Sequence, residues 1–201
     1  MRFGVFILPK GKTSDLIIKD KNNIDNLFPD HPYTSHPPHA TLYHFDSNDK
    51  YTVLKRFNEF CFRNNFINIE LIKPSVFWDD FQTEGHTIFY KIKKNKRLFD
   101  LQRLVANTFK GLPIFNKNQA YLYKDKQQLK SFVNYGYPFV GSHWIPHFSI
   151  SSLKIEKDND IFKKHLSQNI TLKLKITKIS LWEIKNNDHL MISEVPLCQE
   201  K

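Results

Sequence analysis

One order of elements runs twice through this 201-residue chain, and each run opens on the same short pattern. The first begins at Pro38-His39-Ala40-Thr41-Leu42 and the second at Pro146-His147-Phe148-Ser149-Ile150. His39 to Phe45 and His147 to Ser151 alternate polar and apolar residues, the period of a half-buried strand. After the first, Tyr51 to Arg63 places Val53, Leu54, Phe57, Phe60 and Cys61 at helical spacing. Phe66 to Trp78 and His86 to Ile92 then read as strands. After the second come a short helical candidate from Asp158 to Leu166 and two strands, Ile170 to Ile184 and His189 to Val195. Asn186-Asn187-Asp188 between these strands has the composition of a hairpin turn. Strand, helix, strand, strand thus occurs twice, and such a duplication limits the fold more than either half alone.

Two more elements stand outside the repeat. Arg2 to Leu8 is an apolar run rich in Phe, Val and Ile and reads as a buried strand. Leu98 to Phe109 carries Leu98, Leu101, Leu104, Val105 and Thr108 on one helical face, and Gly111 and Pro113 end it. About thirty residues separate the first strand from His39, with Pro29, Pro32, Pro37 and Pro38 crowded near the end; a connection that long is usually functional or disordered. At about 150 residues per domain the chain is expected to be one unit over 1–201.

Hydrophobic residues at 40% and charged residues at 25% exclude a disordered chain. The net charge of +10 favours an anionic partner. The excess is nearly all lysine, 25 Lys against 5 Arg, beside 17 Asn. That pairing is also what an AT-rich genome produces, so charge alone does not specify nucleic acid. Cys61 and Cys198 form no CxxC, and a reduced, cytoplasmic setting is expected. Pro9 stops the apolar start too early for a signal-peptide core, and no run approaches the ~20 apolar residues of a membrane span.

In a strand, positions i and i+2 share a face. His39 and Thr41 therefore project together, as do His147 and Ser149, while Ala40, Leu42, Phe148 and Ile150 turn towards a core. Two such strands facing one another line a cleft with two imidazoles and two hydroxyls. That set suits phosphoester chemistry. One neutral imidazole takes a proton from the attacking oxygen, and one imidazolium protonates the leaving oxygen. The hydroxyls donate to phosphate oxygens as charge develops. Free imidazoles titrate near about 6.5, so a bell-shaped rate profile is expected around that pH.

The paired motifs resemble those of the two-histidine (2H) phosphoesterases, which include the 2′-5′ RNA ligase-like proteins and cyclic phosphodiesterases. Three further features carry the resemblance: the opening strand to Pro9, the segment Thr87 to Ile92 followed by the Leu98 to Phe109 helix, and Gly136-Tyr137-Pro138 before the second motif. The resemblance implies an α+β fold, bilobal, with two pseudo-symmetric strand-helix-strand-strand lobes around a central cleft. It implies acid and base roles for His39 and His147 and phosphate binding by Thr41 and Ser149. The implied substrates are 2′-5′-linked, 2′,3′-cyclic or cyclic oligonucleotide phosphodiesters, or RNA ends. A nucleic-acid-binding module without catalysis is the alternative outside the enzymes.

Tyr43 shares the alternating face of His39 and Thr41 and is placed to stack a base. Tyr137, Phe139 and Trp144, with Tyr135, crowd the approach to His147 and form a candidate second wall. His31, His36, His39 and His44 lie close in sequence, but the strand puts His39 and His44 on opposite faces, so no metal and no cofactor is expected. His143 reads as a loop residue. Lys91 to Arg97 reads equally as a phosphate grip and as a solvated turn. A monomer without membrane contact is expected.

Overall fold

The computed structural model describes residues 1–29, 31–63, 66–114, 125–185 and 188–197. Its strands are β1 (Arg2–Ile7), β2 (Ala40–Asp46), β3 (Ile67–Asp80), β4 (Gly85–Ile92), β5 (His147–Leu153), β6 (Leu172–Ile176), β7 (Lys178–Lys185) and β8 (Asp188–Pro196). Its helices are α1 (Lys12–Leu27), α2 (Lys50–Asn58), α3 (Lys96–Thr108), α4 (Lys126–Tyr135) and α5 (Asp160–Leu166). The strands form two antiparallel four-stranded sheets, ordered β2-β1-β7-β8 and β5-β4-β3-β6. The fold is a mixed α+β arrangement of two sheet lobes.

The pairing moves the boundaries of the repeat. Each motif strand pairs with the strand one helical segment before it: β2 with β1 across α1, and β5 with β4 across α3 and α4. The repeated unit is strand, helix, motif strand, helix, so it opens earlier than the motif. The later strands are exchanged, β3 joining β4 and β5 in one sheet and β7–β8 joining β1 and β2 in the other. The segment expected as one strand from Ile170 to Ile184 breaks at Thr177, where the chain leaves one sheet as β6 and enters the other as β7. Lys185 opposes Asp188 across the β7–β8 turn, whose Asn186 and Asn187 lie outside the described residues.

The stretch expected as an irregular connection is largely α1. Its buried positions are Thr13, Ile17, Lys21 and Ile24, a helical spacing in which two of four residues are polar. That is why apolar periodicity does not reveal it. Asp49, Asn95, Asp125 and Asn159 cap α2, α3, α4 and α5 by accepting backbone N–H bonds. Helix α4 ends at Gly136, whose φ of 68 places it in the left-handed region that glycine adopts without strain. Helix α1 packs against β5 and β6 of the opposite lobe, and α3 against β2 and β3, so both helices bridge the lobes. One continuous apolar cluster results, including Phe3, Val5, Ile7, Leu42, Ile88, Leu101, Phe148 and Ile150. Among the described residues no helix is long and apolar enough to cross a membrane.

Two histidines inside this packing are held neutral. His165 on α5 donates from Nε2 to the Phe89 carbonyl at 3.2 Å, and burial lowers its pKa. His44 has a buried Nε2 without a partner among the described residues; burial, then Arg2, lower its pKa to about 4. Below the ordinary value of about 6.5 the unfolded chain takes up protons that the fold refuses, so stability rises with pH through that window. The melting temperature is therefore expected to fall steadily from pH 7.5 to 5. A flat profile in a thermal melt series would contradict it.

Candidate functional site

The two motif strands are edge strands of their sheets, and β2 and β5 meet at the seam between the lobes. Their pairings match closely. Thr41 stands opposite Phe6 and Ser149 opposite Phe89. One residue later each pairing skips a position, Leu42 in β2 and Ile150 in β5. Each motif strand thus carries a bulge directly after its hydroxyl residue.

The imidazoles are clamped in the same way. His39 donates from Nδ1 to the Pro37 carbonyl at 2.7 Å, and His147 donates from Nδ1 to the Ile145 carbonyl at 2.7 Å. A carbonyl only accepts, so each neutral ring carries its proton on Nδ1 and leaves Nε2 as the lone-pair nitrogen. Neither Nε2 nor the hydroxyls of Thr41 and Ser149 make a hydrogen bond to the described residues. All four side chains are half-buried. Each imidazole rests on an aromatic ring of the neighbouring strand. His39 stacks on Phe6 with ring centres 4.1 Å apart, and His147 meets Phe89 at 4.9 Å and Phe77 at 5.0 Å. Phe6 can lie flat because the residue beneath it is Gly4, where a Cβ would come within 2.2 Å of its ring.

The surroundings differ between the lobes. His39 is flanked by His189 of β8, ring centres 5.4 Å apart, and the His36 ring lies tilted against His189 at 4.1 Å. Burial lowers His39 to about 3; the Pro37 carbonyl opposes this, and His189, Lys21 and His36 add to it. His147 is also lowered by burial, but the Ile145 carbonyl and the Asp80 carboxylate pull it back up. The Lys21 ammonium is buried and donates to the carbonyls of Ile150 at 2.9 Å, Thr34 at 3.5 Å and Tyr33.

His39, Thr41, His147 and Ser149 therefore occupy equivalent places on two strands that meet. Tyr43 does not join them. The bulge at Leu42 reverses the alternation, so Tyr43 turns inward, is 0% exposed and donates its hydroxyl to the Tyr135 carbonyl. The same bulge puts His44 opposite Gly4, on the face of Phe6, where strict alternation would place it opposite to His39. Trp144 is also core, 3% exposed and packed on Phe99. Tyr137 and Phe139 are half-buried, Tyr137 lying edge-on to Tyr43 and His44 at the β2 edge. His143 is bound in its loop, donating to the Pro138 carbonyl at 2.6 Å. Sequence reading missed His189 and Lys21, and nothing in their spacing ties them to the motifs. Among the described residues no three His, Cys, Asp or Glu side chains are arranged to hold a metal ion.

Among solved structures, TT0787 of Thermus thermophilus superposes with a TM-score of 0.65 at 12% identity, covering 100% of both chains. Escherichia coli LigT in apo form gives 0.53 at 10% identity over 98% of both chains. LigT complexed with 3′-AMP gives 0.51 at 11% identity, again over 98% of both chains. These likenesses concern the fold. No curated protein matches the sequence. The profile of the 2′-5′ RNA ligase superfamily matches residues 18–188, most of the chain and both motifs. The chain belongs to the 2′-5′ RNA ligase superfamily of 2H phosphoesterases.

Proposed function

We propose that the chain is a two-histidine phosphodiesterase acting on an RNA-derived nucleotide or oligonucleotide, with a 2′-5′-linked or 2′,3′-cyclic phosphodiester as the bond cleaved. The observation that carries this reading is the twin clamp, which ties Nδ1 of both His39 and His147 to a carbonyl and leaves both Nε2 atoms unengaged. A nucleic-acid-binding module has no need of two imidazoles in matched tautomers beside two unengaged hydroxyls. The 3′-AMP complex of E. coli LigT, a protein of similar fold, supports a nucleotide as the class of ligand.

In this reading Nε2 of His39 accepts the proton of the attacking oxygen, a ribose hydroxyl or water. The new P–O bond forms as the old one breaks, and Nε2–H of His147 protonates the departing oxygen. Thr41 and Ser149 donate to the non-bridging oxygens. The split of roles follows the charges. Asp80 favours an imidazolium at His147, while His189, Lys21 and His36 disfavour one at His39. The incoming phosphate anion helps His147 take up its proton.

Replacing either histidine by alanine is expected to lower kcat about 10²–10⁴-fold. Thr41→Ala or Ser149→Ala is expected to cost roughly 10–10³-fold. The double histidine variant should be far less impaired than the product of the two losses, because the groups act as a unit. Near wild-type turnover in either histidine variant, with a folded protein, would overturn the mechanism.

Both imidazoles lie below the ordinary value in the free protein, so the sequence-based expectation of a bell around about 6.5 is revised. The base is neutral well into acid, and the acid loses its proton below about 6.5, so kcat/KM should decline as pH rises through neutrality. A plateau from pH 6 to 8 would count against these environments.

Gly4→Ala tests the aromatic seat. A methyl at Gly4 must displace the Phe6 ring on which His39 stacks. A loss of kcat of up to about 10²-fold with KM little changed is expected from such misplacement. Full activity with a folded protein would show that the seat does not position the base.

Because the described histidines and carboxylates form no metal-holding group, turnover should also survive excess EDTA. Loss of activity restored by Mn²⁺ or Zn²⁺ would refute this.

A further inference from the structure

On the face of the second sheet that carries His147, three cationic or proton-bearing side chains stand in one row across three strands. His147 of β5 is directly opposite Lys91 of β4, and Lys91 is directly opposite Lys73 of β3. Lys91 lies two positions from Phe89, and Lys73 two from Ser75, which opposes Phe89, so the row shares the face of the motif imidazole. Neither ammonium has a hydrogen-bond or ion-pair partner among the described residues. Their sequence neighbours do: Lys93 pairs with Glu70 at 3.3 Å, and Lys94 donates to the Ser142 carbonyl at 3.4 Å. Like charges directly opposed on a sheet destabilise it. The other lobe avoids this arrangement. Leu8 stands two positions beyond Phe6 as Lys91 stands beyond Phe89, and Lys178, two before Ser180, is paired with Glu194.

We propose that Lys91 and Lys73 bind a second phosphate of the substrate, so that the substrate is an oligonucleotide extending over the second sheet and not a mononucleotide. This rests on the phosphodiesterase reading for the position of the first phosphate. Strand spacing of about 4.8 Å sets the two lysines about 5 and 10 Å from His147, within reach of the next phosphate along a nucleotide chain. Two opposed ammoniums supply the counter-charge for that phosphate, and its binding relieves their repulsion.

The test is equilibrium binding, which does not depend on turnover. Dissociation constants are measured for 3′-AMP and for the 3′-5′-linked dinucleotide ApAp, which lacks the bond proposed to be cleaved, on the wild type and on Lys73→Gln/Lys91→Gln. The wild type is expected to hold ApAp about tenfold tighter than 3′-AMP, with a steeper salt dependence, and the double variant to lose that preference. The melting temperature of the ligand-free variant should equal or exceed that of the wild type. Equal affinities in the wild type, a preference retained in the folded variant, or a lowered melting temperature would each overturn the proposal. If ApAp binds as expected but neither a 2′-5′-linked dinucleotide nor a 2′,3′-cyclic phosphate is cleaved, the subsite stands and the catalytic reading fails.

Discussion

Each motif imidazole depends on one hydrogen bond, from Nδ1 to the carbonyl two residues upstream. That bond sets the tautomer, and it exists only while the chain approaching the strand keeps its course. The approach is held in both lobes by a buried polar side chain from a bridging helix. Lys21 of α1 gathers the Tyr33 and Thr34 carbonyls against β5. Gln102 of α3 donates to the Phe139 carbonyl at 2.5 Å and accepts from the Gly141 amide at 3.0 Å. A buried polar group is costly unless fully bonded, so Lys21 and Gln102 tie these loops to a definite path. A proline before each motif adds a fixed φ.

The bulges do related work. A regular strand would continue its alternation past Thr41 and Ser149. The extra residue at Leu42 and Ile150 instead lets two successive residues turn inward after the hydroxyl position, Leu42 with Tyr43 in β2 and Ile150 with Ser151 in β5. In β5 the bulged residue also frees a carbonyl, and Lys21 bonds it. The loop before the first motif, the helix behind it and the bulge of the second motif therefore meet at one ammonium. Burial lowers Lys21 to about 8, so its charge persists at neutral pH.

Much of this is legible in the sequence because it is written in short-range patterns. The two Pro-His-x-(Thr/Ser) motifs open strands, β2 from Ala40 and β5 from His147, and α3 follows its apolar spacing. What stays hidden depends on exceptions to those patterns. Helix α1 buries Lys21 and Thr13, so its stripe does not read as apolar. Strict alternation assigns Tyr43 and His44 to the wrong faces, because a bulge has no signature in a single sequence. His189 reaches His39 only because β7–β8 is exchanged into the first lobe, a contact across about 150 positions of chain that no local spacing encodes.

The two halves share a backbone device and differ in what surrounds it. Pairing, bulge, clamp and aromatic seat recur on both sides, which is what a duplicated framework preserves at little cost. The charged neighbours do not recur: imidazoles and a buried ammonium face His39, while a carboxylate faces His147 and a lysine row adjoins it. A symmetric pair of identical imidazoles would have equal proton affinity, and neither would be committed to giving or taking a proton. Unequal fields break that tie without moving either ring. On the proposed reading, the symmetry supplies the geometry of the transfer and the departure from symmetry supplies its direction.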